Sequence, residues 1–149
     1  MNKNLLKEEL DLEKIKYEIV KKADREGIIN LYKQAGWWQN EDDADRSFVD
    51  RIISETFVFS IAKYGERIIG MGRAISDGVS DAYIQDVTVL KEYRQKGIGG
   101  MIIKHIVKEL QERKIGWIGL ISEPGAENFY KDLGFEVMEN HTPYIYKKK

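Results

Sequence analysis

Gly97, Gly99 and Gly100 fall within four positions, directly before the most regular helical pattern in the chain. A strand that stops here and restarts as a helix leaves the first amide N–H groups of that helix without partners. Those donors, with the positive end of the helix dipole, make a site for phosphate. Glycine lets the backbone come close to an anion, and Arg94 and Lys96, in the same loop as Gln95 and Ile98, add positive charge beside it.

Three kinds of phosphate loop compete for this stretch. A Walker loop ends in Gly-Lys-Ser/Thr, whereas Gly100 is followed by Met101 and Ile102, so that reading fails. A dinucleotide fingerprint needs a third glycine where Ile102 stands, and too little chain follows Glu123 for the remaining strands of that fold. What survives is Arg-x-x-Gly-x-Gly over residues 94–99, with a plain strand-to-helix turn as the alternative.

The rest of the chemistry is bounded by what the chain lacks. Without cysteine there are no disulfides, thiolate nucleophiles or cysteine metal sites, and two histidines, His105 and His141, argue against a histidine metal cluster. Catalysis must then run on carboxylates, tyrosine and backbone. Twenty-four basic and 25 acidic residues leave a charge of -1, which argues against a nucleic-acid binder, and Lys147 to Lys149 read as a solvated end. No apolar run approaches a membrane span or a signal-peptide block, so no membrane partner and a cytoplasmic location are expected.

The elements that must position this loop can be read from periodicity. At 149 residues with 42% hydrophobic and 33% charged, the chain suits one domain with one core. Residues 1–16, with Leu5, Leu6, Leu10, Leu12 and Ile15 among charges, form an N-terminal extension that could be a short helix, and the domain proper runs over 17–149. A strand is expected at 17–20, then a helix capped by Asp24 and a second helix capped by Asp43. Residues 57–63 and 67–75 read as a hairpin about Tyr64-Gly65-Glu66, and 82–90 as a further strand.

Beyond the glycines, Ile98, Met101, Ile102, Ile106, Val107 and Leu110 recur every three or four residues, the mark of a helix with one apolar face. A buried strand at 116–122 with Trp117 in the core, a short helix at 126–133, and closing strands at 135–138 and 144–146 complete the order β-α-α-β-β-β-α-β-α-β-β.

With that order, the segment IQDVTVLKEYRQKGIGGMIIKHI and the later ENFYKDLGF, residues 127–135, resemble the GNAT superfamily of acetyl-CoA-dependent N-acetyltransferases, and the first is similar to its diamine and polyamine branch. The resemblance implies an α/β (α+β) fold: a central mixed, mostly antiparallel sheet flanked by helices. It implies acetyl-CoA as the acyl donor, no metal, a primary amine of a small molecule as acceptor, and direct attack. Acetylation of a protein N-terminus or lysine, or an acyl-CoA sensor without turnover, are the alternatives, and homodimers are common in the superfamily.

Residue by residue, the resemblance implies that Val87, Thr88 and Val89 hold the pantetheine arm through their backbone, with Arg94 to Gly100 on the pyrophosphate and Ala126 against the coenzyme. Tyr130 stands at the general-acid position. Where the polyamine enzymes carry a Glu-Asp pair this chain has Gln85-Asp86, so Asp86 or a water chain is left as base, and Gln85 and Asp86 as acceptor contacts. Glu123 stands where many relatives carry an asparagine. Trp37 and Trp38 would wall the acceptor pocket, and Glu41, Asp42, Asp43 and Asp45 would draw a cationic amine toward it. A solvated acidic loop with one buried tryptophan is the competing reading of that stretch.

Overall fold

A computed structural model of the protein describes residues 9–149. Tyr64-Gly65-Glu66 turns the chain back on itself, with Gly65 at φ +60°, so that β2 (Val58–Tyr64) and β3 (Arg67–Ser76) pair antiparallel. β1 (Ile15–Ile19) adds to β2 and β4 (Asp81–Val89) to β3, both antiparallel. β5 (Trp117–Leu120) lies parallel to β4, a pairing that requires a crossover, which α3 (Ile98–Glu112) supplies. The strand order across the sheet is the chain order, giving the mixed, mostly antiparallel sheet that the sequence implied.

The apolar stripe of α3 is where the core forms: Ile98, Ile102, Ile103, Ile106 and Leu110 are all buried. It settles onto β3 at Gly72, where a Cβ would lie 3.0 Å from both Ile102 and Ile106 and 3.2 Å from Val87. Glycine is therefore what lets this helix approach the strand. α1 (Arg25–Gln34) is capped as expected, the Asp24 carboxylate accepting the Gly27 N–H at 2.9 Å. Ile28, Ile29, Leu31 and Tyr32 carry its buried face, and α2 (Phe48–Glu55) adds Val49 and Ile53.

The second helix starts later than its sequence signals suggest. Residues 40–44 form a 3-10 turn in which the Asp42 carboxylate accepts the Gln39 N–H at 2.7 Å, and α2 begins only at Phe48. Asp43 does not cap it; its Oδ1 accepts from Trp38 Nε1 at 3.2 Å instead. Of the expected N-terminal helix, residues 1–8 lie outside the described residues. The remainder holds a 3-10 turn, Leu12–Lys14, and the first strand already starts at Ile15, paired with Tyr64.

The element order ends with α4 (Glu127–Asp132), and the closing strands expected at 135–138 and 144–146 do not form. Their β-rich composition measures how well side chains fit a pleated, half-buried surface, and without a neighbouring strand it builds no ladder. The Phe135 N–H is tied to the Tyr130 carbonyl at 3.1 Å, but Tyr144, Ile145 and Tyr146 are 93%, 82% and 90% exposed. Among the described residues β5 in consequence pairs on one side only, and Trp117, expected in the core, is 46% exposed.

Candidate active site

The site begins with an irregularity in β4. Thr88 pairs with Met71 and Gln85 with Arg73, so Asp86 and Val87 stand opposite the single residue Gly72. This is a β-bulge, and Asp86 adopts φ +56°, a left-handed conformation that aspartate tolerates better than most side chains. On the other edge, pairing with β5 ends at Ile84 and Leu120. From Gln85 to Val89, β4 therefore has a backbone edge with no strand beside it among the described residues. Because the Leu90 N–H goes to Ile69 on β3, strand alternation turns the N–H and carbonyl of Val89 to that open edge.

The glycine loop closes the upper end of this edge. A 3-10 turn, Lys91–Tyr93, leads out of β4, and Arg94 folds back so that its Nε donates to the Val89 carbonyl at 2.8 Å. Gln95 and Gly97 both take positive φ, +61° and +83°. Gly97 caps α3, and the first N–H to find a helical acceptor is that of Met101, on the Gly97 carbonyl. The amides of Ile98, Gly99 and Gly100 thus have no backbone acceptor among the described residues, the arrangement that favours an anion.

Tyr130 comes from α4, its ring set edge-on between Phe129 (5.0 Å between centroids) and Phe135 (6.0 Å). Partial burial holds its hydroxyl above the ordinary tyrosine pKa, and the negative charge of Glu123 pushes it further in the same direction. The phenol stays protonated at neutral pH.

One cavity of about 480 Å³ runs from the loop to this tyrosine, and it gathers Val87, Thr88, Val89, Arg94, Gln95, Gly97, Ile98, Gly99, Gly100, Ala126 and Tyr130. Of the residues assigned to the coenzyme from sequence, only Lys96 stays outside, exposed on the loop. Glu123, Tyr93 and Phe129 complete the lining.

Asp86 is not free. Its Oδ2 accepts from Arg73 Nε at 2.7 Å and from the Tyr32 hydroxyl at 2.8 Å, and Arg73 Nη1 donates in turn to Thr56 Oγ1 at 3.2 Å. Burial and then the Asp86 charge raise the Tyr32 pKa well above the ordinary tyrosine range. Oδ2 thus has two donors, and Oδ1 has no hydrogen bond among the described residues. Gln85 lies next to it, paired across the ladder with Arg73.

Trp37 and Trp38 pack against other rings rather than line this cavity. Trp37 meets the Tyr32 ring edge-on at 6.3 Å, and Trp38 stacks on Phe48 at 5.7 Å and has the Arg46 guanidinium 5.8 Å from its ring centroid. Three of the four acids that follow them are occupied locally, Asp42 on Gln39, Asp43 on Trp38 and Arg46, and Asp45 on Ser47, while Glu41 has no hydrogen bond among the described residues.

Sequence reasoning missed Tyr32, Arg73 and Thr56. Tyr32 and Thr56 lie 54 and 17 residues from their partners along the chain, and nothing local announces either contact. Arg73 did carry a signal, as the one cation inside the apolar run IIGMGRAI.

A mixed, mostly antiparallel sheet flanked by helices, with a glycine loop that opens a helix beside the end of its fourth strand, agrees with the fold implied by the resemblance to GNAT acetyltransferases. Residues 19–143 match the family described as Acetyltransferase (GNAT) domain, and the chain belongs to that family. It is 31% identical over 105 residues, 70% of its length, to the uncharacterized N-acetyltransferase ycf52 of Gracilaria tenuistipitata, of which it spans 58%.

Among solved structures it is similar to the GNAT family acetyltransferase SP0256 of Streptococcus pneumoniae TIGR4, with 25% identity, a TM-score of 0.73, and 91% and 98% of the two chains covered. The structure of AAC(6')-Iy in complex with a CoA-S-monomethyl-acetylneamine bisubstrate analog shares the fold at 20% identity, with a TM-score of 0.72 over 91% of this chain and 98% of that one.

Proposed function

We propose that this domain transfers the acetyl group of acetyl-CoA to the primary amine of a small molecule by direct attack. The observation that carries the reading is the single cavity joining the orphan amides of α3, the open edge of β4 and the Tyr130 side chain. The residues present suit the coenzyme: a loop with two left-handed positions, three unpaired amides beside Arg94, and an edge of β4 ready to accept an extended chain as if it were a further strand.

The coenzyme supplies a thioester, whose carbonyl carbon bonds to the amine nitrogen while its bond to sulfur breaks. The chain supplies the rest. Loop amides and Arg94 hold the pyrophosphate, and Val87 to Val89 align the arm. Asp86 offers Oδ1 to the acceptor nitrogen, in competition with a water chain for its proton, and Tyr130 gives its own proton to the departing sulfur. The fold shared with the bisubstrate complex supports a small acceptor, since that ligand joins coenzyme A to an acetylated aminoglycoside fragment. Mass spectrometry of the protein with acetyl-CoA and an amine panel tests the reading. N-acetylated amine and free coenzyme in equal amounts support it, and acetyl-CoA binding with no product from any amine overturns it.

A further inference from the structure

A second cavity, of about 400 Å³, lies between α2 and the Arg73–Ser76 end of β3, and no residue lines both cavities. One hydrogen bond links their linings. Arg73 lines the second cavity, Asp86 holds Arg73, and Val87, the next residue of the bulge, lines the first. The Arg73–Asp86 bond thus sets the second cavity beside the bulge where β4 is open.

The walls of this cavity are apolar, from Phe48, Ile52, Phe57 and Ile75, and its charged donors are Arg73 and Arg51. Arg73 spends Nε on Asp86 and Nη1 on Thr56, and Nη2 has no partner among the described residues. Arg51 spends Nε and Nη2 on Glu55, the one acid of the lining, and leaves Nη1 unpartnered in the same sense. Side chains of Arg51 and Glu55 are 73% and 65% exposed, so their pairing holds little and Arg51 is free to turn inward.

We infer that this cavity takes the acceptor, and that the acceptor is a primary amine bearing a carboxylate or phosphate a few atoms from its nitrogen. The inference rests on the acetyltransferase reading and adds the acceptor's chemical class. Asp86 and Glu55 already face the two guanidinium charges, so what the cavity offers a ligand is the remaining N–H donors of Arg73 and Arg51, which an anion accepts best. Of the four acids on the neighbouring loop that would draw a polycation, Asp42, Asp43 and Asp45 are hydrogen-bonded within it. The separation is short because Arg73 pairs with Gln85, the residue adjoining Asp86, which sets the anion contact beside the bulge where the nitrogen must lie.

The test compares kcat/KM of the full chain for glycine, β-alanine and 2-aminoethyl phosphate with that for glycinamide, ethylamine and spermidine. At least one acid-bearing amine is expected to lead its neutral counterparts by about tenfold or more, the worth of one charge-assisted contact. The carboxylate and phosphate arms show which anion is taken. The lead should shrink severalfold in Arg73→Gln and also in Arg51→Gln, a solvent-facing change that keeps the test valid if the first variant does not fold. Equal or better use of glycinamide, ethylamine or spermidine overturns the acceptor class and leaves the acetyltransferase reading standing. So does a lead unchanged in Arg51→Gln and in folded Arg73→Gln. Acetyl-CoA binding with no amine acetylated, or no acetyl-CoA binding at all, removes both.

Discussion

Arg73 Nε stands 2.7 Å from Asp86 Oδ2, joining β3 to the bulge of β4 at the point where β4 loses its other neighbour. With side chains 16% and 22% exposed, the pair is shielded enough for each partner to depend on the other. It fixes the direction of the carboxylate, since Tyr32 and Arg73 both hold the same oxygen.

Replacing that carboxylate separates two roles. Asp86→Asn keeps the shape and one acceptor oxygen, so acetyl-CoA affinity in calorimetry should stay near wild type while acceptor KM rises or turnover falls. Arg73→Met leaves Asp86 without its cation and should cost about 1–3 kcal/mol in urea unfolding. Normal kinetics in Asp86→Asn with lowered stability would make the carboxylate structural only.

Gly97 carries φ +83°, and a Cβ there meets nothing within 4 Å, so strain in the backbone rather than a clash is what a side chain would bring. Gly97→Val should move the loop amides off their direction and raise the acetyl-CoA dissociation constant by about tenfold or more. Unaltered affinity in a variant with a native circular dichroism spectrum would remove the loop from coenzyme binding.

Tyr130→Phe keeps the ring between Phe129 and Phe135 and takes away one hydroxyl. Folding and acetyl-CoA affinity should be preserved, with turnover down by about 10². An acyl donor with a more acidic thiol should recover part of that loss, because its sulfur needs the proton less. Full activity under conditions where chemistry limits would leave Tyr130 a packing residue.

Tyr32 links the site to stability at alkaline pH. Its folded pKa is raised above the unfolded value, by burial first and by Asp86 second. Above about pH 10 the unfolded chain sheds this proton while the folded chain keeps it, so the contribution is intact below that pH and is lost as pH climbs toward the folded value. Urea midpoints should fall between neutral pH and pH values above 10, and less steeply in Tyr32→Phe. Parallel slopes for the two proteins would show that the Tyr32 proton is not coupled to folding.

The loop, the helix it opens and the tyrosine of α4 were legible in the sequence because each is a local pattern: glycine at a left-handed cap, apolar residues every three or four positions, a motif of nine residues. The bulge was not, since it exists only in the register between β3 and β4. The Arg73–Asp86–Tyr32 cluster escaped for the same reason, its members coming from two strands and a helix. The closing strands failed in the opposite direction: residues 144–146 have the composition of a strand, but strand formation is decided by a partner edge that composition does not report.

The lack of cysteine makes the central claim directly measurable, because any free thiol in a reaction with acetyl-CoA comes from the coenzyme. Thiol release followed with a chromogenic reagent, in the presence and absence of amine, reads acetyl transfer against a protein background of zero. The account predicts release that requires amine, saturates in both substrates, and matches the N-acetylated product mole for mole. Saturable acetyl-CoA binding with no amine-dependent thiol for any acceptor would contradict it, and would leave the cavity beside β4 a binding site without chemistry.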